Sequence, residues 1–196
     1  MPRAGLSQDA IVDLAMGILD EEGPSAVTLS AVAGRAGVAT PSLYKHVRNL
    51  AELNTLVSIR VMEELADRAR EAVLGRTGAE ALRAFMNAWR AYVVAHPGRY
   101  AAMIQAPRPE LAEAGTRLVD IVLAVLRAYG LEGADAIHAA RCLRSVVHGF
   151  AVLETAGAFG LPVDLDDSYE LLTQMIISGL PGPARDRPDR AATQYS

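Results

Sequence analysis

Apolar positions recur along this chain at intervals of three and four residues, the spacing of one face of an α-helix, and rarely alternate as in a strand. Glycine and proline divide the pattern into about nine helices, so the expected fold class is all-α. Ser7 caps a first helix that runs to about Glu22 and stops at Gly23-Pro24. Two short helices follow, one opened by Thr28 and one spanning roughly Thr40 to Val47. Asn49 with Glu52 three residues on has the form of a capping box and opens a long helix toward Leu74. Gly75 ends it, and Thr77 with Glu80 opens another helix that runs through His96. Pro97-Gly98 breaks the chain before a short helix from Arg99 to Gln105. Pro107 and Pro109 mark a loop ahead of a helix from about Glu110 to Tyr129. A helix from Ala134 to Ala158 follows, and Asp166 or Asp167 caps a last one that ends near Leu180. The tail 181–196, rich in proline, arginine and aspartate, has little to bury and is expected to be disordered.

The stretch from Thr28 to Leu50 stands apart because it holds no acidic residue in an otherwise acidic chain. Thr28 is a good N-cap, since its hydroxyl accepts from an orphan N–H of the next turn. Leu29, Val32, Ala33 and Ala36 give that helix one apolar face. Gly37 stands where a sharp turn needs the left-handed backbone that glycine tolerates. Thr40 followed by Pro41 reads as a second helix start, with a capping hydroxyl and a proline at the first helical position. Leu43 and Val47, four apart, face inward and leave Ser42, Tyr44, Lys45 and His46 outward. Lys45 is the only lysine in the chain. Arg35, Lys45 and Arg48 offer positive charge to phosphates. This is the pattern of a helix-turn-helix whose second helix enters the DNA major groove. A plain helical hairpin with a solvated charged face is the alternative.

Composition narrows the class. The chain has 196 residues, 51% of them apolar, enough for a substantial core. Its formal charge of −4 argues against a general nucleic-acid coat but allows a local basic face on an acidic body. No run is long and apolar enough for a membrane helix, and the polar start MPRAGLSQDA has no signal-peptide core, so a cytoplasmic protein without membrane partners is expected. Cys142, the lone cysteine, excludes an internal disulfide framework.

Residues Ser7 to Leu56, with AIVDLAMGILDEEGPSAVTLSAVAGRAGVATPSLYKHVRNLAEL, the Gly37-Val38 turn and Leu43-Tyr44-x-His46-Val47, resemble the DNA-binding domain of the tetracycline-repressor (TetR) family of bacterial regulators. HPGRYAAMI and VVHGFAVLE are similar to the subgroup whose C-terminal domain carries a Trp-His-Gly signature, although valines precede His148-Gly149 here. The resemblance implies a helix-turn-helix domain at 1–50 and an effector-binding and dimerisation domain at 51–180. It also implies a one-component regulator, most often a repressor, that binds a palindromic operator as a homodimer and is released by a small-molecule effector. In such proteins the last two long helices form the dimer interface, and the middle helices enclose the effector.

Particular residues follow from these expectations. Thr40, Pro41 and Ser42 are expected at base edges of double-stranded DNA and Tyr44, Lys45 and His46 on phosphates. Thr28, Ser30 and Arg48 are expected on the backbone. Phe85, Met86, Trp89, Tyr92 and His96, then Met103, with His148, offer apolar walls and polar tips to an effector. The same stripe also reads as plain core. His138, Cys142, Ser145, Gly149, Val152 and Ala156 form a stripe of mostly small residues suited to close helix packing. With Leu172 and Ile176 on the last helix, Ser145, Gly149 and Val152 are assigned to dimerisation. His138 and Cys142 have the spacing of two metal ligands, but with no further ligand they read as a core histidine beside a buried cysteine. Neither metal nor cofactor is expected. No nucleophile elbow, phosphate-cradling glycine loop or carboxylate cluster supports an enzyme. The competing function is an all-α small-molecule-binding protein or enzyme whose helix-turn-helix reads no DNA sequence.

Overall fold

The computed structural model describes residues 6–104 and 111–181. Eight α-helices follow one another: α1 (Gln8–Glu22), α2 (Leu29–Ala36), α3 (Leu50–Val73), α4 (Gly78–Ala95), α5 (Pro97–Met103), α6 (Ala112–Arg127), α7 (Gly133–Thr155) and α8 (Leu165–Gly179). Two 3-10 segments, Pro24–Ala26 and Thr40–Lys45, complete the described chain, which holds no strand. The fold is all-α, as the periodicity predicts. The expectations for Gln105 to Glu110 and for residues 182–196 lie outside the described residues.

By its contacts the chain groups into two units, residues 1–66 with 92–118 and residues 67–91 with 119–196. In the first, Ile11, Val12, Ala15, Met16, Ile18 and Leu19 turn one face of α1 into a core shared with Val32, Ala33, Leu43, Val47, Leu53 and Val57. Each of the valine, leucine, isoleucine and methionine side chains contributes about 1.5–3 kcal/mol when fully buried, and the alanines less. Tyr100 and Met103 of α5 are buried in the same unit. In the second unit, Leu82, Phe85, Met86 and Trp89 of α4 are buried, as are Val122, Val125 and Leu126 of α6, Leu143, Val147 and Ala151 of α7, and Tyr169 of α8.

Several ends differ from expectation, each for a local reason. Thr40 is not an N-cap: Ala39 takes that position with no side-chain bond, and Thr40 begins a 3-10 segment rather than an α-helix. Pro97 does not break the chain but starts α5, where a proline loses no hydrogen bond and its fixed φ suits the first turn. Asp164, not Asp166 or Asp167, caps α8, its carboxylate accepting from the N–H groups of both. Asn49 caps α3 as expected, its Oδ1 accepting from the Glu52 N–H at 2.9 Å. The Glu52 carboxylate reaches back one residue further than a capping box requires, to Arg48.

Candidate nucleic-acid interface

The turn between α2 and the next segment is built from backbone. Gly37 adopts φ +67°, its N–H returns to the carbonyls of Ala33 and Gly34, and the Val38 N–H closes on the Ala33 carbonyl at 3.0 Å. That pair of bonds is a left-handed helix stop, and it turns the chain sharply. Thr28 opens α2 by accepting from the Ala31 N–H at 3.0 Å. Its hydroxyl proton remains available to donate outward.

The recognition segment Thr40–Lys45 is closed by three-residue bonds, Ser42 N–H to the Ala39 carbonyl and His46 N–H to that of Leu43, both at 2.8 Å. Three residues per turn place side chains i and i+3 in line. Leu43 is fully buried, so Thr40 and His46, in line with it, are drawn to half-burial. The outward rows are Pro41 with Tyr44 and Ser42 with Lys45; Pro41, Tyr44 and Lys45 are exposed and Ser42 is half-buried. Val47 is buried, as its spacing predicts, whereas His46 is less exposed than an α-helical register implies. The His46 carbonyl also accepts from Gln8 Nε2 of α1 at 3.1 Å.

The charge on this face is sparser than the sequence suggests. Lys45 is exposed and enters no ion pair among the described residues. Arg48 is exposed but pairs with Glu52 at 3.1 Å. Arg35 is engaged as well: its guanidinium pairs with Glu21 and Glu22 of α1 at 2.7 and 2.6 Å. Spacing within the helix-turn-helix hides that pairing, because its partners lie on a preceding helix. Ser30 is exposed in the first turn of α2.

The residues assigned to the effector divide between the two units. Phe85, Met86 and Trp89 are buried in the second unit, with the Phe85 and Trp89 rings edge to face at 5.7 Å. Tyr92, His96 and Met103 belong to the first. There the Tyr92 hydroxyl donates to Glu64 at 2.9 Å, and His96 Nδ1 lies 3.3 Å from Asp20. His148 is half-buried on α7. A cleft of about 260 Å³ in the second unit is lined by other side chains, among them Val73, Arg76, Ala81, Ile121 and Ala124.

Sequence reasoning also missed Arg90. Its guanidinium forms two 2.7 Å bonds to Glu154 on α7 and one, also 2.7 Å, to Asp166 on α8. It lies 4.7 Å from the centre of the Tyr169 ring and 5.4 Å from that of Phe150. The Tyr169 hydroxyl donates to the Met86 carbonyl at 2.7 Å. Arginine directly after the buried Trp89 was the available signal.

On α7 the buried residues Ala136, Leu143, Val147 and Ala151 share one face. Helical rotation puts Cys142, Ser145, Gly149 and Val152 on the opposite side. Cys142 and Ser145 are exposed and Gly149 and Val152 half-buried. Cys142 and His138 are therefore not core residues: both are exposed, because Leu143 and Val147 take the inward face. No group of three or more metal-ligating side chains occurs among the described residues. On α8, Leu172 and Ile176 are half-buried while Leu171 and Met175 are 64% and 63% exposed. No described helix is long and apolar enough to cross a membrane.

A helix-turn-helix joined to a longer helical domain with an apolar outer face defines a class of DNA-binding regulator. Family models match at both ends, "Bacterial regulatory proteins, tetR family" over residues 11–53 and "Tetracyclin repressor-like, C-terminal domain" over 82–176. The chain is 36% identical to the uncharacterized HTH-type transcriptional regulator Rv0681 of Mycobacterium tuberculosis, over 89% of its own length and 80% of that protein's. It is 33% identical to the HTH-type regulator YobS of Bacillus subtilis, over 91% and 95%. Among solved structures, apo ActR from Streptomyces coelicolor superposes with a TM-score of 0.70 at 27% identity, over 90% of this chain and 95% of that one. The chain belongs to the tetR family and is a transcriptional regulator of helix-turn-helix type.

Proposed function

We propose that this regulator is a homodimeric repressor that binds a palindromic operator and leaves it when a small molecule occupies its C-terminal domain. The observation that carries the DNA-binding part is the recognition segment. Leu43 and Val47 anchor it, and Pro41, Tyr44 and Lys45 stand outward on a stretch free of acidic residues. Thr40, Pro41 and Ser42 approach base edges, and Tyr44, Lys45 and His46 hold phosphates. Thr28, Ser30 and Arg48 make backbone contacts, Arg48 after exchanging Glu52 for a phosphate.

One such segment reads a half-site, and a two-fold partner reads the other half about 34–36 Å away. The outward face of α7, with Ser145, Gly149 and Val152, and the half-buried Leu172 and Ile176 of α8 supply the dimer contact. Leu171 and Met175 extend the apolar surface that a second copy covers. An effector is supported by likeness to ActR, which has been solved in complex with (S)-DNPA and with actinorhodin, at 26% identity and TM-scores of 0.68 and 0.69. Of the residues assigned to an effector, Phe85, Met86, Trp89 and His148 lie in the second unit, and they are the ones proposed to meet it.

The test is selection of duplexes from a randomised pool, followed by retardation of the enriched sequence. Enrichment of an inverted repeat supports the proposal. Retention of all duplexes alike, or of none, overturns it.

A further inference from the structure

The first helix is the hub of the DNA-reading unit. α1 has 15 residues and is roughly 22 Å long at 1.5 Å per residue. Near its start, Gln8 holds the carbonyl of His46 at the end of the recognition segment. Near its finish, Glu21 and Glu22 hold Arg35 of α2. A rod tied to the recognition segment at one end moves that segment whenever its other end is displaced.

That other end is where α5 sits. Gly98, in the first turn of α5, lies so close to Leu19 that a Cβ would overlap the Leu19 carbonyl oxygen and stand 3.0 Å from its carbon and 3.6 Å from the Gly23 Cα. Gly98 does not have a positive φ. Its lack of a side chain therefore serves close approach, not backbone conformation. Inside a helix, alanine is otherwise favoured over glycine.

The adjoining residue fastens the seat. Arg99 donates to Asp20 of α1 through Nε at 2.8 Å and through Nη2, and to Glu64 of α3 through Nη1 at 3.0 Å. The same Glu64 oxygen accepts from Tyr92, and His96 stands beside Asp20. Burial opposes ionisation of Asp20, but the hydrogen bonds and charges of Arg99 and His96 outweigh it and hold the carboxyl below its ordinary value. Two bonds from one guanidinium to one carboxylate fix orientation as well as distance.

We propose that Gly98 and Arg99 are positioning residues for operator recognition: the close seat of α5 on the C-terminal turn of α1 sets the tilt of that helix, and with it the placement of the recognition segment. The inference rests on the DNA-binding reading above and adds to it residues about fifty positions beyond the helix-turn-helix.

The experiment uses the full chain and a duplex enriched by the wild type, with a scrambled duplex as reference. Gly98→Ala, Arg99→Gln, Asp20→Asn and the Arg99→Gln/Asp20→Asn double variant are titrated against both. Misplaced base contacts cost sequence-specific affinity, whereas phosphate contacts persist. Gly98→Ala and Arg99→Gln are therefore expected to weaken the enriched duplex about tenfold or more, the scale of one lost base contact, and the scrambled duplex far less. The double variant should lose less than the two single losses added, since both substitutions break the Arg99–Asp20 pair. Hydrogen exchange should show lost protection at 40–47 with α7 and α8 unchanged. Should Gly98→Ala fail to fold, Arg99→Gln and the double variant decide. Wild-type affinity in Arg99→Gln, or equal losses on both duplexes, overturns the inference while leaving the DNA-binding reading intact. A wild type that enriches no duplex overturns both.

Discussion

Gln8 and His46 stand 38 residues apart in sequence and meet at 3.1 Å, the amide of one donating to the backbone carbonyl of the other. The bond ties the first turn of α1 to the residue that ends the recognition segment. Gln8→Ala returns the His46 carbonyl to water, so the expected loss of global stability is only about 0.5–1.5 kcal/mol. The local effect is larger than the global one: exchange at residues 44–47 should accelerate more than exchange in α3. Uniform acceleration throughout the chain would count against the tie.

Lys45 should carry a phosphate contact. Lys45→Ala is expected to weaken enriched and scrambled duplexes alike and to reduce the slope of log affinity against log salt by about 1. A loss confined to the enriched sequence would place Lys45 at a base edge instead.

Arg90 and Glu154 form the most enclosed ion pair among those described, with side chains 14% and 15% exposed. The hydrogen bonds it donates to Glu154 foremost, opposed by burial and joined by the one to Asp166, raise the arginine's already high pKa. Arg90→Ala leaves Glu154 partly buried without its partner, a loss of about 3–5 kcal/mol for a fully enclosed pair and less where water still reaches it. Denaturant titration should show a lowered midpoint with an unchanged slope. Glu154→Gln, which keeps the shape and one acceptor, should be milder.

Acid should loosen the seat of α5 on α1. The Asp20 carboxyl is depressed in the folded state, so its contribution to stability is complete above the unfolded value near 3.9 and is lost as pH falls through the lower folded one. Wild type should therefore lose more stability than Asp20→Asn below about pH 4, and the two should run parallel above pH 6. Parallel curves over the whole range would remove Asp20 from the account.

Met175 offers a test of the dimer that does not disturb the fold. Its side chain is 63% exposed on α8, so a charge there meets solvent in the single chain and an apolar partner in a dimer. Met175→Glu should sediment as a monomer with unchanged helix content, and Ile176→Glu should do the same with some loss of stability. A dimeric Met175→Glu variant would move the interface elsewhere.

Features governed by neighbours were legible in the sequence. The Ser7 cap, the span from Thr28 to Gly37 and the inward pair Leu43 and Val47 depend on contacts within a few residues. The form of the recognition segment was not, because a buried residue every third or fourth position suits a 3-10 and an α-helix almost equally. The ion pairs of Arg35 were not legible because its partners on α1 are 13 and 14 residues away. Cys142 misled because α7 carries two faces of small and apolar residues, and spacing cannot say which turns inward. Nor does the aromatic stripe from Phe85 to His96 announce that the helix passes from one unit to the other partway along it.

One further consequence attaches to Lys45. All other positive side chains apart from histidine are arginines, whose guanidinium stays charged throughout the physiological range. Acylating reagents that target amines therefore have a single side-chain address on this molecule, besides the α-amino terminus, and it lies on the recognition segment. Removing that one charge leaves the ion pairs of both units untouched while subtracting from the surface offered to DNA. Footprinting by amine acylation would read operator occupancy at one side chain, with the α-amino terminus as the internal reference.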